Sequence, residues 1–214
     1  MKKLQAKVVL WSDGSYLREY GVFGGSYLIQ ITDLDGNPLI SPESGEAMPT
    51  EIINNVAGHD TYGSWNVTGE IHAVLLGLYT LVELEKICEI KELILRFDYE
   101  GIEHWIAGKK WGRKRPIAKL YYNTAAAFLL AHNTEFIWTK GHSGIEEHDR
   151  VDALAYEAAH AFVKQSNIKP DYMQVDASSI KKKDEIPQKP FEETIFKSDI
   201  ELPFNYAGIN GGKC

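Results

Sequence analysis

Four acidic residues, Asp13, Glu70, Asp98 and Asp152, stand where a folded chain tends to gather chemistry. Asp13 closes a short apolar run in W-S-D-G-S, and Asp98 closes a second one, K-E-L-I-L-R-F. Glu70 falls in the first turn of an apolar helical stretch, and Asp152 in the first turns of the last one. In α/β architectures ligands collect beyond the carboxyl ends of strands and near helix N-termini, so acids far apart in sequence can meet there. Carboxylates gathered in one cleft cannot all stay ionised without a counter-cation. Hard oxygen donors suit Mg²⁺ or Mn²⁺. Two such ions about 4 Å apart activate a water and stabilise the leaving oxygen of a phosphodiester. They also make an acidic cleft hospitable to a polyanion.

Each acid has a plainer reading. Asp13 before Gly14 is ordinary turn chemistry. Glu70 and Asp152 are acids favoured by the helix dipole. Asp98 at the end of an apolar strand is harder to explain that way. Spacing alone does not decide whether the four converge.

The elements that must position them follow from periodicity. Residues 7–12 read as a buried strand stopped by Asp13-Gly14, and 20–31 as a second strand paired with it and ending at D-L-D-G-N. Residues 38–63, rich in Pro, Gly, Asn and Glu, read as a long loop or insertion (about 33–63 in all) carrying a short third strand. Residues 68–86 have helical periodicity, with Ile71, Val74, Leu75, Leu78 and Val82 on one stripe and Thr68 as the cap. A strand over 91–98, a short helix over 99–107, a helix from Pro116 to His132, a strand over 135–139 and a helix over 146–165 complete the order. Val151, Leu154, Ala155, Ala158, Ala159 and Phe162 fall on the inner face of that last helix. This is an α/β chain with a mixed sheet and helices on its faces: a first hairpin, then parallel strands joined by helical crossovers. The pattern predicts a domain over 1–165. Residues 166–214, with Lys181-Lys182-Lys183 and scattered prolines, read as an extended tail, partly disordered or draped on the domain.

The chain has 214 residues, 44% hydrophobic and 25% charged, which excludes global disorder. No run approaches the roughly 18 uninterrupted apolar residues of a membrane span, and the start does not read as a signal peptide. Two cysteines, Cys88 and Cys214, are too few to staple the fold or to build a cysteine zinc site, and suggest a reducing, cytoplasmic setting. The net charge of −7 argues against a general nucleic-acid binder. Yet 104–134 contain no Asp or Glu and carry Lys109, Lys110, Arg113, Lys114, Arg115 and Lys119. That segment is either a place to meet a polyanion or a solvated basic loop.

Four segments resemble ribonuclease H of the small, single-domain type over about residues 6–163: W-S-D-G-S, N-V-T-G-E, F-D-Y-E-G-I-E-H-W, and W-T-K-G-H-S-G followed by D-R-V-D-A-L-A. The K-G-H loop with an Asp ten residues beyond the His, here His142 and Asp152, is the most specific of them. The second and third look most like the subgroup whose relatives often carry a viroplasmin-like N-terminal module, expected to be absent here because the first strand begins at about residue 7.

The resemblance implies a ribonuclease H-like five-stranded sheet. It also implies cleavage of the RNA strand of RNA–DNA hybrids with two Mg²⁺ ions (or Mn²⁺), leaving 5′-phosphate and 3′-hydroxyl ends. Asp13, Glu70, Asp98 and Asp152 would be the metal-binding catalytic acids. His142 would assist proton transfer or product release. Gly141 and Gly144 would keep its loop mobile. Asn66 would touch RNA 2′-hydroxyls, with the backbone at Gly14 and Ser15 doing similar work. Lys109, Lys110 and Arg113 would lie in an abbreviated basic protrusion that grips the hybrid. Asp149, three residues from Asp152, would cap the last helix or add a ligand. A monomer, with a replication-protein contact through the tail, completes the expectation. The alternatives are another nuclease on the same fold, such as a junction resolvase or transposase-like enzyme, and an inactive hybrid-binding module.

Overall fold

The computed structural model describes residues 3–108 and 114–168. Two units are distinguished along the chain, Met1–Gln174 and Val175–Cys214, and the second lies outside the described residues. The first unit holds β1 (Leu4–Leu17), β2 (Val22–Thr32), β3 (Glu51–His59), α1 (Asn66–Leu84), β4 (Cys88–Phe97), α2 (Gly101–Ile106), α3 (Pro116–Ala131), β5 (Glu135–Trp138) and α4 (Glu146–Gln165). The sheet order is β3-β2-β1-β4-β5. β1–β2 and β2–β3 are antiparallel, while β1–β4 and β4–β5 are parallel. This is the mixed five-stranded α/β sheet that the pattern predicts.

The first strand departs from its expected end. Asp13-Gly14 is no turn: β1 runs on to Leu17, with Asp13 paired to Ser26 and Gly14 to Gly25. The reversal comes at Gly21, whose φ of 61° suits glycine. Gly14 serves contact, not turning. A Cβ there would stand 2.2 Å from the Asn66 carbonyl oxygen and 2.3 Å from the Glu70 amide of α1. On the same face, a Cβ on Gly25 would meet the Gly69 carbonyl at 2.2 Å. On the opposite face, a Cβ on Gly24 would lie 1.9 Å from the Ala155 carbonyl of α4. The two helices therefore rest directly on the sheet backbone, one on each side. Side chains of β1 alternate between faces, so Asp13, next to Gly14, points to the α4 side.

The expected insertion is smaller than its sequence suggests. Its second half is β3, an ordinary sheet member, and the remaining 33–50 connection carries a lone bridge between Ile40 and Ala47. α1 begins two residues earlier than predicted, and Thr68 sits inside it. No side chain caps the helix, and Asp60 pins its entry instead. Its carboxylate accepts from the Trp65 amide at 2.7 Å and from the Thr68 hydroxyl at 2.7 Å. α1 is long and apolar enough to cross a membrane by length and composition, but 83% of that span is buried in this fold. In its last turns Leu81 and Leu84 are buried and Val82 is exposed. Pro116 opens α3, as predicted. Trp105, Tyr121 and Phe97 are among the largest fully buried side chains, beneath the end of β4.

Candidate active site

The parallel β1–β4 register pairs Trp11 with Arg96, and carrying it two residues on sets Asp13 level with Asp98. Asp98 follows directly on β4, its carbonyl held by the Trp138 indole N–H at 2.7 Å. Glu70 enters from the first turns of α1, fully buried, and its Oε1 accepts from the Tyr99 amide at 3.4 Å. α4 brings His148 and Asp152, four residues apart and so on one helical face. His148 Nδ1 lies 3.7 Å from Asp13 Oδ2, and Asp152 Oδ2 lies 3.3 Å from His142 Nδ1. One ligand atom each from Asp13, Asp98 and His148 falls within 4.8 Å of the others. The K-G-H loop closes over this group: a Cβ on Gly141 would stand 3.1 Å from Asp98 Oδ2.

The electrostatics are those of crowded acids. Burial, the Asp98 charge and, more weakly, the Asp152 charge push the Asp13 carboxyl up to about 8, against the hydrogen bond it accepts from the Gly14 amide. Burial, then Asp98 and Asp13, hold Glu70 well above the usual carboxylate range. Asp98 is raised too, first by burial and then by Asp152, with His148 acting in the opposite sense. Such a set favours protons or a multivalent cation between its members. The donors fit a divalent cation: oxygen-rich, partly buried and, among the described residues, in no ion pair with a lysine or arginine.

Beside the acids run two open grooves of about 480 and 500 Å³. Trp65 and Asn66 line both and form the ridge between them. Gly14 and Ser15 line the first, while Tyr99 and Arg115 line the second.

No family model matches the chain. The ribonuclease H of Aeromonas hydrophila subsp. hydrophila is 36% identical over 98 residues, 42% of this chain and 61% of that protein. The ribonuclease H of Salmonella arizonae is 34% identical over 135 residues, 58% of this chain and 85% of that protein. The chain belongs to the ribonuclease H family. Its match spans less than two thirds of the Aeromonas relative's length. Among solved structures, LC11-RNase H1 in complex with an RNA/DNA hybrid superposes with a TM-score of 0.53 at 20% identity, covering 73% of this chain and 99% of that one. The RNase H1 of the halophilic archaeon Halobacterium salinarum gives 0.50 at 18% identity, covering 72% and 98%. These likenesses establish a shared ribonuclease H fold.

Within this family member, the Asp98 charge raises both Asp13 and Glu70, the Asp13 charge raises Glu70, and Asp152 raises Asp13 and Asp98. His142 sits at the rim, mostly exposed, beside Asp152. Gly14, Ser15 and Asn66 share one groove. Lys109, Lys110 and Arg113, and the tail beyond residue 168, lie outside the described residues. Asp149 neither caps α4 nor joins the acids. It is exposed, the cap position is Ile145 with no side-chain bond, and the inward residue is its neighbour His148. Sequence reasoning missed His148, although its i, i+4 spacing to Asp152 was there to read. It also missed Trp65, 61% exposed with φ 58° and ψ −129°, for which an isolated Trp offers no signal.

Proposed function

We propose that this ribonuclease H hydrolyses the RNA strand of RNA–DNA hybrids with two bound divalent cations, Mg²⁺ or Mn²⁺, leaving 5′-phosphate and 3′-hydroxyl ends. The observation that carries the reading is the meeting of Asp13, Glu70 and Asp98, with Asp152 near, at the carboxyl end of β4. When bound, the cations supply Lewis acidity and an activated water. The protein's own contribution is specific. Asp13 and Asp98 hold the charge centre between β1 and β4. Glu70 joins them from α1 and Asp152 from α4. His142, at the rim and in contact with Asp152, exchanges a proton with the reacting or departing oxygen. Asn66, on the groove ridge, reads the RNA 2′-hydroxyl with the Gly14–Ser15 backbone alongside. Lys109, Lys110 and Arg113 grip the phosphate backbone, which makes affinity fall steeply with salt. A monomer in the cytoplasm, with the tail meeting a replication protein, belongs to the same proposal.

The test is a labelled RNA–DNA hybrid incubated with protein and Mg²⁺, beside Asp98→Asn. RNA-strand cleavage is expected, abolished by EDTA and by the substitution. Cutting of a four-way DNA junction without RNA would support a resolvase. Hybrid binding without cleavage under either ion would support an inactive binding module.

A further inference from the structure

We propose that His148 is a metal ligand, its imidazole joining Asp13 and Asp98 on one divalent cation and tilting the site toward Mn²⁺ over Mg²⁺. The proposal rests on the cation-dependent reading above and adds a nitrogen donor to it.

His148 is 1% exposed, and neither ring nitrogen has a hydrogen-bond partner. That is unusual for a buried imidazole, which ordinarily satisfies at least one nitrogen. Two other histidines, His72 within α1 and His132 just past the end of α3, show the routine solution. His72 Nδ1 bonds the Thr68 carbonyl at 2.7 Å, and His132 Nδ1 bonds the Phe128 carbonyl at 2.8 Å, each four residues back. His148 instead turns from its helix toward Asp13 Oδ2, which at 3.7 Å is too far for a hydrogen bond.

That spacing suits a shared ion. Metal–ligand distances near 2.1 Å place two donors of one cation about 3–4 Å apart. The third donor, Asp98, lies in the same group, all within 4.8 Å. A purely structural histidine has no reason to leave both nitrogens unsatisfied while facing two carboxylates. The chemistry of the donor then sets the selectivity. Mg²⁺ keeps oxygen ligands and its waters, whereas imidazole nitrogen is accepted readily by the later first-row divalent ions.

The probe is Mn²⁺ itself, titrated into the metal-free full chain and followed by EPR, with pulsed EPR to detect ¹⁴N coupling from a directly bound imidazole. Coupling is expected in the wild type and in His142→Ala, and its loss in His148→Gln. Mn²⁺ affinity should fall about tenfold in His148→Gln, with Mg²⁺ affinity changing less. If His148→Gln folds poorly, the His142→Ala spectrum decides the matter, because coupling that persists there cannot come from the histidine at the rim and its loss there overturns ligation by His148. Bound Mn²⁺ without nitrogen coupling, or coupling that survives His148→Gln, overturns ligation by His148 and leaves the carboxylate site standing. Absence of Mn²⁺ binding, or binding indifferent to Asp98→Asn, overturns the cation site and the proposed function with it.

Discussion

Replacing Asp13 by Asn should stabilise the metal-free protein near neutral pH and remove its thermal response to Mg²⁺. The Asp13 carboxyl titrates at about 8 in the fold against an ordinary value of 3.8. Between those values the unfolded chain has lost a proton that the folded chain keeps. Folding is then opposed, and stability falls as pH rises, by up to about 1.4 kcal/mol per pH unit. Near pH 7 the accumulated cost is about 4 kcal/mol. Asn carries no charge, and its Oδ1 can still accept from the Gly14 amide, so the variant should recover most of that amount. For a chain of this size the gain is about 8–16 °C in melting temperature. It should shrink to a few tenths of a kcal/mol near pH 3.5, where the unfolded Asp is also largely protonated. Magnesium narrows the gap: at about a hundredfold excess over its Kd it adds about 2.7 kcal/mol to the wild type and little to the variant. The assay is a set of thermal melts in EDTA and in Mg²⁺ across pH. A variant no more stable than the wild type in EDTA near pH 7 would refute the reasoning. So would a variant that Mg²⁺ stabilises as fully as the wild type.

Other perturbations separate the remaining roles. His142→Ala should lower turnover roughly 10²-fold while leaving hybrid affinity and melting temperature unchanged, since His142 is 84% exposed and touches only the rim of the acids; single-turnover rates beside binding isotherms check this. Trp65→Gly should relieve about 1–3 kcal/mol of backbone strain at φ 58° and raise the melting temperature. The same change should weaken hybrid binding about 5- to 100-fold through a lost stacking surface, and unchanged affinity would remove Trp65 from the interface. Gly24→Ala drives a Cβ to 1.9 Å from the Ala155 carbonyl and should cost about 3 kcal/mol or more. Gly58→Ala, whose Cβ would meet only the Phe23 ring at 3.3 Å, is the tolerant control in the same denaturation series.

Periodicity made the sheet-and-helix order legible because apolar spacing reports burial directly. The ends of elements were less legible. Asp13-Gly14 has the composition of a turn, and only the facing backbone of α1 explains why glycine is needed in mid-strand. Thr68 has the composition of a cap, but the sequence cannot show that the helix starts two residues earlier and that the Thr68 hydroxyl is taken by Asp60, eight residues before it. The four acids were legible one by one, but their meeting depends on strand register. His148 was hidden beside Asp149, the more conspicuous residue by charge, since composition does not say which of two neighbours faces inward.

The seating of α1 and α4 on bare glycine backbone also bears on how this chain can change over evolutionary time. Helices carried on a layer of side chains shift whenever those side chains are exchanged. Here the heights of Glu70 and of the His148–Asp152 pair are set by peptide groups at Gly14, Gly25 and Gly24, which no ordinary exchange in the hydrophobic interior alters. The interior can therefore drift far in composition while the spacing of the acids is inherited intact. Three glycines carry that freedom, and mutational tolerance should be lowest there and at the acids themselves.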